Sequence, residues 1–139
     1  MNDILNELIS LSLKSLETGD VPIGALIIKD GIIIARSYNT REKNQSVLGH
    51  AEINAIIEAS KKLNNWNLCE CEMYVTLKPC SMCMEVIKQS RINMVYYLLD
   101  KPVNKREYDK TNILKVEDKK IEDYYKKILN EFFRKLRNK

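Results

Sequence analysis

The stretch P-I-G-A-L-I-I-K-D-G-I-I-I-A-R-S, residues 22–37, holds two apolar, β-branched runs joined by Lys29-Asp30-Gly31. An Asp-Gly pair between such runs is a strong hairpin signal, because both residues tolerate the positive φ of a tight, correctly twisted turn. The spacing predicts antiparallel strands over residues 22–29 and 32–37. Upstream, Ile4, Leu5, Leu8, Ile9, Leu13 and Leu16 form a helical stripe over residues 3–17, with Gly19 as its stop. Downstream, the polar residues 38–49 read as a loop. Residues 51–63 are helical, with Ile53, Ile56, Ile57 and Leu63 in phase. A strand follows at 72–77, then a helix opened by Pro79 and running to about residue 89. Residues 92–98 form another strand, and 101–117 are irregular or partly helical. Ile121, Tyr125, Ile128, Leu129, Phe132, Phe133 and Leu136 mark a last amphipathic helix over 121–136, within a basic C-terminal helix of about 118–137. The order α-β-β-α-β-α-β-α predicts one α/β domain over residues 1–139. Its hairpin makes one pair antiparallel and its β-α-β units make later pairs parallel, so the central sheet is mixed.

Composition agrees with a folded domain: 139 residues, 45% hydrophobic and 30% charged. The longest apolar runs, residues 24–28 and 31–35, are far too short to span a bilayer. No signal-peptide pattern opens the sequence, so the expected compartment is the cytoplasm, where thiols stay reduced. The four cysteines then read as metal ligands or small buried residues rather than as disulfides. Net charge is +4 and unevenly spread, with 10 basic and 12 acidic residues in 1–100 but 13 and 7 in 101–139. The basic tail suits a nucleic-acid backbone, and equally a solvated Lys/Glu helix face.

The chemistry concentrates at two loop-to-helix junctions. The single histidine, His50, sits in Gly49-His50-Ala51-Glu52. Cys80 and Cys83 follow Pro79 with C-x-x-C spacing, which lets two thiolates in one helical turn converge on an ion. Zinc favours such nitrogen and sulfur donors, and a catalytic zinc keeps three protein ligands and one open position. His50, Cys80 and Cys83 make that set. Glu52, two residues from His50, is placed to move protons without binding the metal. Cys69 and Cys71 raise a four-cysteine structural site as an alternative. The strand from Cys71 onward spans roughly 20 Å, which argues against their reaching the same ion. The pattern H-A-E, 26 residues, P-C-S-M-C matches the H-x-E…P-C-x-x-C signature of zinc nucleobase deaminases.

The resemblance extends further. Asp20-Val21-Pro22-Ile23-Gly24-Ala25, His50-Ala51-Glu52-Ile53-Asn54-Ala55-Ile56, Tyr74-Val75-Thr76-Leu77, Pro79-Cys80-Ser81-Met82-Cys83 and Ser90-Arg91-Ile92 resemble the tRNA-specific adenosine deaminases of the cytidine deaminase superfamily. Phe132-Phe133-Arg134 is similar to that family's C-terminal helix. The resemblance implies a three-layer α/β/α sandwich, a homodimer with one zinc ion per chain, and a tRNA anticodon stem-loop as substrate, with wobble adenosine converted to inosine. It implies neither a membrane nor a nucleotide cofactor. By position it implies His50, Cys80 and Cys83 as metal ligands and Glu52 as proton shuttle. It also implies Asn39, Pro22 and Ala51 around the base, and Phe133 and Arg134 near the RNA. Of the adjacent pair Phe132 and Phe133, one is expected in the core, since neighbours on a helix point about 100° apart. Lys78 stands where the family usually has glutamate, and residues 98–110 lack the family's usual glycine. The same metal chemistry also fits deamination of a free base or nucleoside, of guanine or cytosine type. Readings from other classes are a non-catalytic RNA-binding subunit of a heteromeric deaminase and a structural zinc domain. Glu52 argues against the former.

Overall fold

The computed structural model describes residues 2–100 and 113–138. Helix α1 (Asn2–Ser15) runs into a 3-10 turn, Leu16–Thr18, closed by Gly19 at φ 74°. Strands β1 (Gly24–Lys29) and β2 (Ile32–Tyr38) follow, then a short helix α2 (Arg41–Asn44) and α3 (Ala51–Leu63). Strand β3 (Cys71–Leu77), helix α4 (Ser81–Ser90), strands β4 (Met94–Leu99) and β5 (Ile113–Lys115) and helix α5 (Lys119–Arg137) complete the order.

The hairpin forms as expected. Asp30 and Gly31 adopt φ of 52° and 77°, and Lys29 pairs with Ile32 across the turn. The sheet order is β2-β1-β3-β4-β5. β1 pairs antiparallel with β2 and β3, whereas β3–β4 and β4–β5 are parallel, so the sheet is mixed. β1 lies inside the sheet and is buried on both faces, which is why residues 24–28 read as an unbroken apolar run. Alternate strand residues part to the two faces. Ala25, Ile27, Met73, Val75 and Val95 pack under Ala55, Ile56 and Ala59 of α3 and Met84 and Ile87 of α4. Leu26, Ile28 and Tyr74 pack under Leu5, Leu8 and Leu11 of α1. Leu98 meets Ile9 of α1 and Tyr125 and Leu129 of α5. The result is three layers, α1 and α5 on one face and α3 and α4 on the other.

Three expectations need correction. Residues 38–49 are not all loop, since they contain α2. The part of 101–117 that is described carries β5, whose three residues pair with Val95, Tyr96 and Tyr97; three residues are too few to show an alternating pattern. Residues 101–112, and with them most of the glycine-free segment, lie outside the described residues. The helix after Pro79 starts two residues later than expected, at Ser81, which leaves Cys80 as its N-cap.

Two predictions follow from the packing. A Cβ on Gly24 would fall 2.5 Å from the Leu8 carbonyl oxygen and 2.9 Å from the Ser12 nitrogen, both backbone atoms of α1. Gly24→Ala therefore forces α1 away from the sheet and costs at least about 2 kcal/mol, measurable as a lower denaturant midpoint. Burial raises the phenols of Tyr74, Tyr97 and Tyr125, and with the Asp100 carboxylate beside it Tyr97 is pushed up to about 12. A folded pKa above the unfolded value of about 10 means stability is fully present below pH 10 and is lost as pH climbs past it. Tyrosinate absorbance should rise together with loss of helical circular dichroism above that pH. Titration of these phenols at the ordinary tyrosine pKa, with the fold intact, would contradict this.

Candidate active site

Two helix starts meet at one end of the sheet. His50 is the N-cap of α3 and Cys80 the N-cap of α4, both with extended backbone (ψ 143° and 172°). This turns each side chain back across the helix end rather than along it. Cys83 follows in the first turn of α4 and is fully buried. The His50 Nδ1 lies 3.3 Å from Cys83 Sγ and 3.8 Å from Cys80 Sγ. All three donor atoms fall within 4.8 Å of one another, a group able to hold a metal ion. Tetrahedral zinc with bonds of about 2.0 and 2.3 Å would hold nitrogen and sulfur about 3.6 Å apart, so both spacing and donor chemistry fit.

Cys71 does not join the group. It starts β3 at the far end of the sheet and is buried in the core, and burial pushes its thiol pKa up. Cys69 is exposed in the preceding loop.

Glu52 sits in the first turn of α3, only 4% exposed. With His50 and Cys80 it lines a cleft of about 620 Å³, a size that accepts a nucleoside. Asn39 lines the same cleft. Its Nδ2 donates to the Val21 carbonyl at 3.2 Å, and its Oδ1 accepts from the Arg41 N–H at 3.0 Å. One amide hydrogen and one lone pair are left over. Val21, Ile23, Leu77 and Lys78 form further walls, and Phe132, Phe133 and Leu136 of α5 form the rim. Lys78 holds its ammonium 5.7 Å from the Tyr97 ring centroid.

Ala51, Pro22 and Arg134 do not line this cleft. Ala51 is fully buried beneath α3, because the first residue of that helix faces the sheet. The cleft lining lacks Pro22, which is buried with its carbonyl turned to α5, whereas both its neighbours line the cleft. Arg134 pairs with Glu131 on the exposed side of α5 and lines a second groove between α1 and α5. Phe132 is half-buried and Phe133 exposed, and both face the rim, so neither belongs to the core proper.

Asp20, Asn54 and Gly49 stand in the sequence motifs without a role that the motifs reveal. Asp20 is buried, and its carboxylate accepts from the Glu42 N–H at 2.5 Å, the Lys43 N–H at 3.2 Å and the Thr18 hydroxyl at 2.6 Å. It thereby pins α2 at the edge of the cleft. Asn54 donates to the Tyr38 carbonyl and to Thr40 Oγ1, which fixes the loop that carries Asn39. Gly49 lets that loop pack closely, since a Cβ there would lie 2.8 Å from Arg41 backbone atoms. The partners of Asp20 on α2 and those of Asn54 are 14 to 23 residues away in sequence, and no local spacing rule reveals them.

The comparisons agree with this geometry. The family model described as MafB19-like deaminase matches residues 2–137. A tRNA-specific adenosine deaminase of Aquifex aeolicus (strain VF5) is 36% identical over 136 residues, covering 90% of this chain and 88% of that protein. Further curated relatives with the same name are matched over about half of their own length. Among solved structures, one from a study of A-to-I editing by tRNA:A34 deaminases at the wobble position of transfer RNA superposes with TM-score 0.75. It is 28% identical over 83% of this chain and 98% of the other. A guanine deaminase from Bacillus subtilis gives TM-score 0.67 at 25% identity, over 93% of each chain.

The donor group makes a direct prediction. Purified protein should carry close to one metal ion per chain, and His50→Ala or Cys83→Ala should lose most of it by elemental analysis. Cys69→Ala and Cys71→Ala should retain it. Full metal content in either of the first two variants would contradict the ligand set.

Proposed function

Since the chain belongs to the MafB19-like deaminase family, we propose that it hydrolyses adenosine to inosine at the wobble position of a tRNA anticodon. The observation that carries this reading is the grouping of His50, Cys80 and Cys83 at a nucleoside-sized cleft that His50, Cys80 and Glu52 line. The similarity to tRNA-specific adenosine deaminases over nearly the whole chain supports RNA as the substrate.

In this reading His50, Cys80 and Cys83 hold one zinc ion per chain. The metal, when bound, supplies Lewis acidity that makes water a nucleophile at neutral pH. Glu52 does the proton work. Its carboxylate accepts a proton from the attacking water and passes it to N1 of adenine, which makes C6 electrophilic. Oxygen then bonds to C6; Glu52 takes the remaining proton from that oxygen and gives it to the amino group, so that the C6–N bond breaks, the C6 carbonyl forms and ammonia leaves. Water is consumed, ammonia and inosine are formed, and Glu52 ends as it began. Asn39 offers its remaining donor and acceptor to the base. Val21, Ile23 and Leu77 exclude bulk water around it. The base must leave its stack to enter, which favours a loop nucleotide. Phe133 offers a face for a flanking base, and Arg134 with the basic residues of α5 offers phosphate contacts. A second copy of the chain as a homodimer, and the cytoplasm as compartment, belong to the same reading. Among the described residues, no helix is long and apolar enough to cross a membrane.

The fold shared with a guanine deaminase favours a second reading, deamination of a free purine base. Zinc-loaded protein is incubated with an anticodon stem-loop carrying wobble adenosine, and separately with guanine, and products are read by mass spectrometry. Inosine in the RNA is expected, with no xanthine. Glu52→Ala should keep its zinc and lose activity by about 10²–10⁴-fold. Xanthine without inosine would select the second reading. Near-wild-type activity of Glu52→Ala would remove its assigned role.

A further inference from the structure

Tyr125 is completely buried on the inner face of α5. Its hydroxyl donates to the Pro22 carbonyl oxygen at 2.9 Å, across 103 residues of sequence. Thr76 Oγ1 of β3 accepts from the Gly24 N–H at 3.1 Å. Both bonds end on the same short segment, residues 22–24.

That segment also holds Asn39. The Val21 carbonyl accepts the Asn39 side-chain amide at 3.2 Å, and the Ile23 carbonyl accepts the Asn39 backbone N–H at 3.0 Å. Val21 and Ile23 themselves wall the cleft. Residues 21–24 are thus gripped from behind by α5 and β3, and grip Asn39 in front. Packing alone does not explain a tyrosine here, since phenylalanine would fill nearly the same volume. What the hydroxyl adds is a fixed position for the Pro22 carbonyl, and so for the carbonyls on either side of it.

We propose that Tyr125 is a positioning residue for base recognition, holding the Val21–Ile23 wall and Asn39 in register with the bound purine. The proposal rests on the reading of Asn39 as a base contact. It gives the C-terminal helix a second role: besides forming the rim, α5 sets the geometry of the opposite wall.

The test is steady-state kinetics of the full-length, zinc-loaded protein on a wobble-adenosine stem-loop. Tyr125→Phe should raise KM roughly three- to tenfold, the worth of one buried hydrogen bond, with kcat within about twofold and zinc content unchanged. Thr76→Val removes the acceptor of the Gly24 N–H on the same segment and should shift KM the same way, which keeps the proposal testable if one variant folds poorly. Ile28→Val, in the core beneath α1, is the control for lost stability alone and should leave KM unchanged. Asn39→Ala should raise KM, and Tyr125→Phe should add little on that background. An unchanged KM in both Tyr125→Phe and Thr76→Val overturns the proposal. So does an equal KM rise in Ile28→Val, or full additivity with Asn39→Ala. Active wild type with an unchanged KM in Asn39→Ala overturns the base-contact reading beneath it. No inosine from the wild type overturns the deaminase reading itself.

Discussion

The structure depends on two helices starting at the same end of one sheet. β3 hands the chain to α4 at Cys80, and the loop after β2 hands it to α3 at His50. Both junction residues are N-caps, with backbone that has left the strand and not yet entered the helix. That geometry aims an imidazole and a thiolate at a common point, and one further helical turn position brings Cys83 to it. The parallel β3–β4 pair and the covering of one face by α3 and α4 hold the two starts side by side. Without that layer arrangement the three donors are scattered along 34 residues of sequence. The alanines of α3, Ala51, Ala55 and Ala59, are fully buried and let the helix lie close to the sheet.

Much of this was legible in the sequence because it is local. The Asp30-Gly31 turn, the apolar stripe of α1 and the C-x-x-C spacing are each decided within a few residues. The mixed sheet followed from the hairpin and the β-α-β order. What was not legible depends on partners far apart in sequence. Asp20 capping α2, Asn54 steadying the Asn39 loop and Tyr125 reaching Pro22 are contacts of tertiary structure. Side-chain direction is similarly hidden. The sequence motif includes both Ala51 and Glu52, yet one faces the sheet and the other the cleft, a difference set by one step of helical rotation. β5 was missed because its three residues gain strand structure only from their neighbour β4.

The C-terminal helix shows how binding and stability share residues here. Most of α5 is exposed and charged, and only Tyr125 and Leu129 are buried. The helix is held by a small apolar contact and a few hydrogen bonds, including the Asp118 cap on the Ile121 N–H. Its outward face is therefore open to a polyanion, while Phe132 and Phe133, in edge-to-face contact at 5.1 Å between centroids, bring aromatic surface to the cleft rim. The basic helix α5, which looked equally suited to solvent or nucleic acid, thus lies beside the cleft opening.

The central claim is that the donor group and Glu52 add the oxygen of water to a purine carbon within RNA. Reaction in heavy-oxygen water tests it most directly, with digestion of the stem-loop and mass spectrometry of the released nucleosides. The account predicts wobble inosine carrying one heavy oxygen in its base, formed only while the metal is present. Inosine with ordinary oxygen, or heavy-oxygen inosine formed at an equal rate after the metal is stripped, would contradict it.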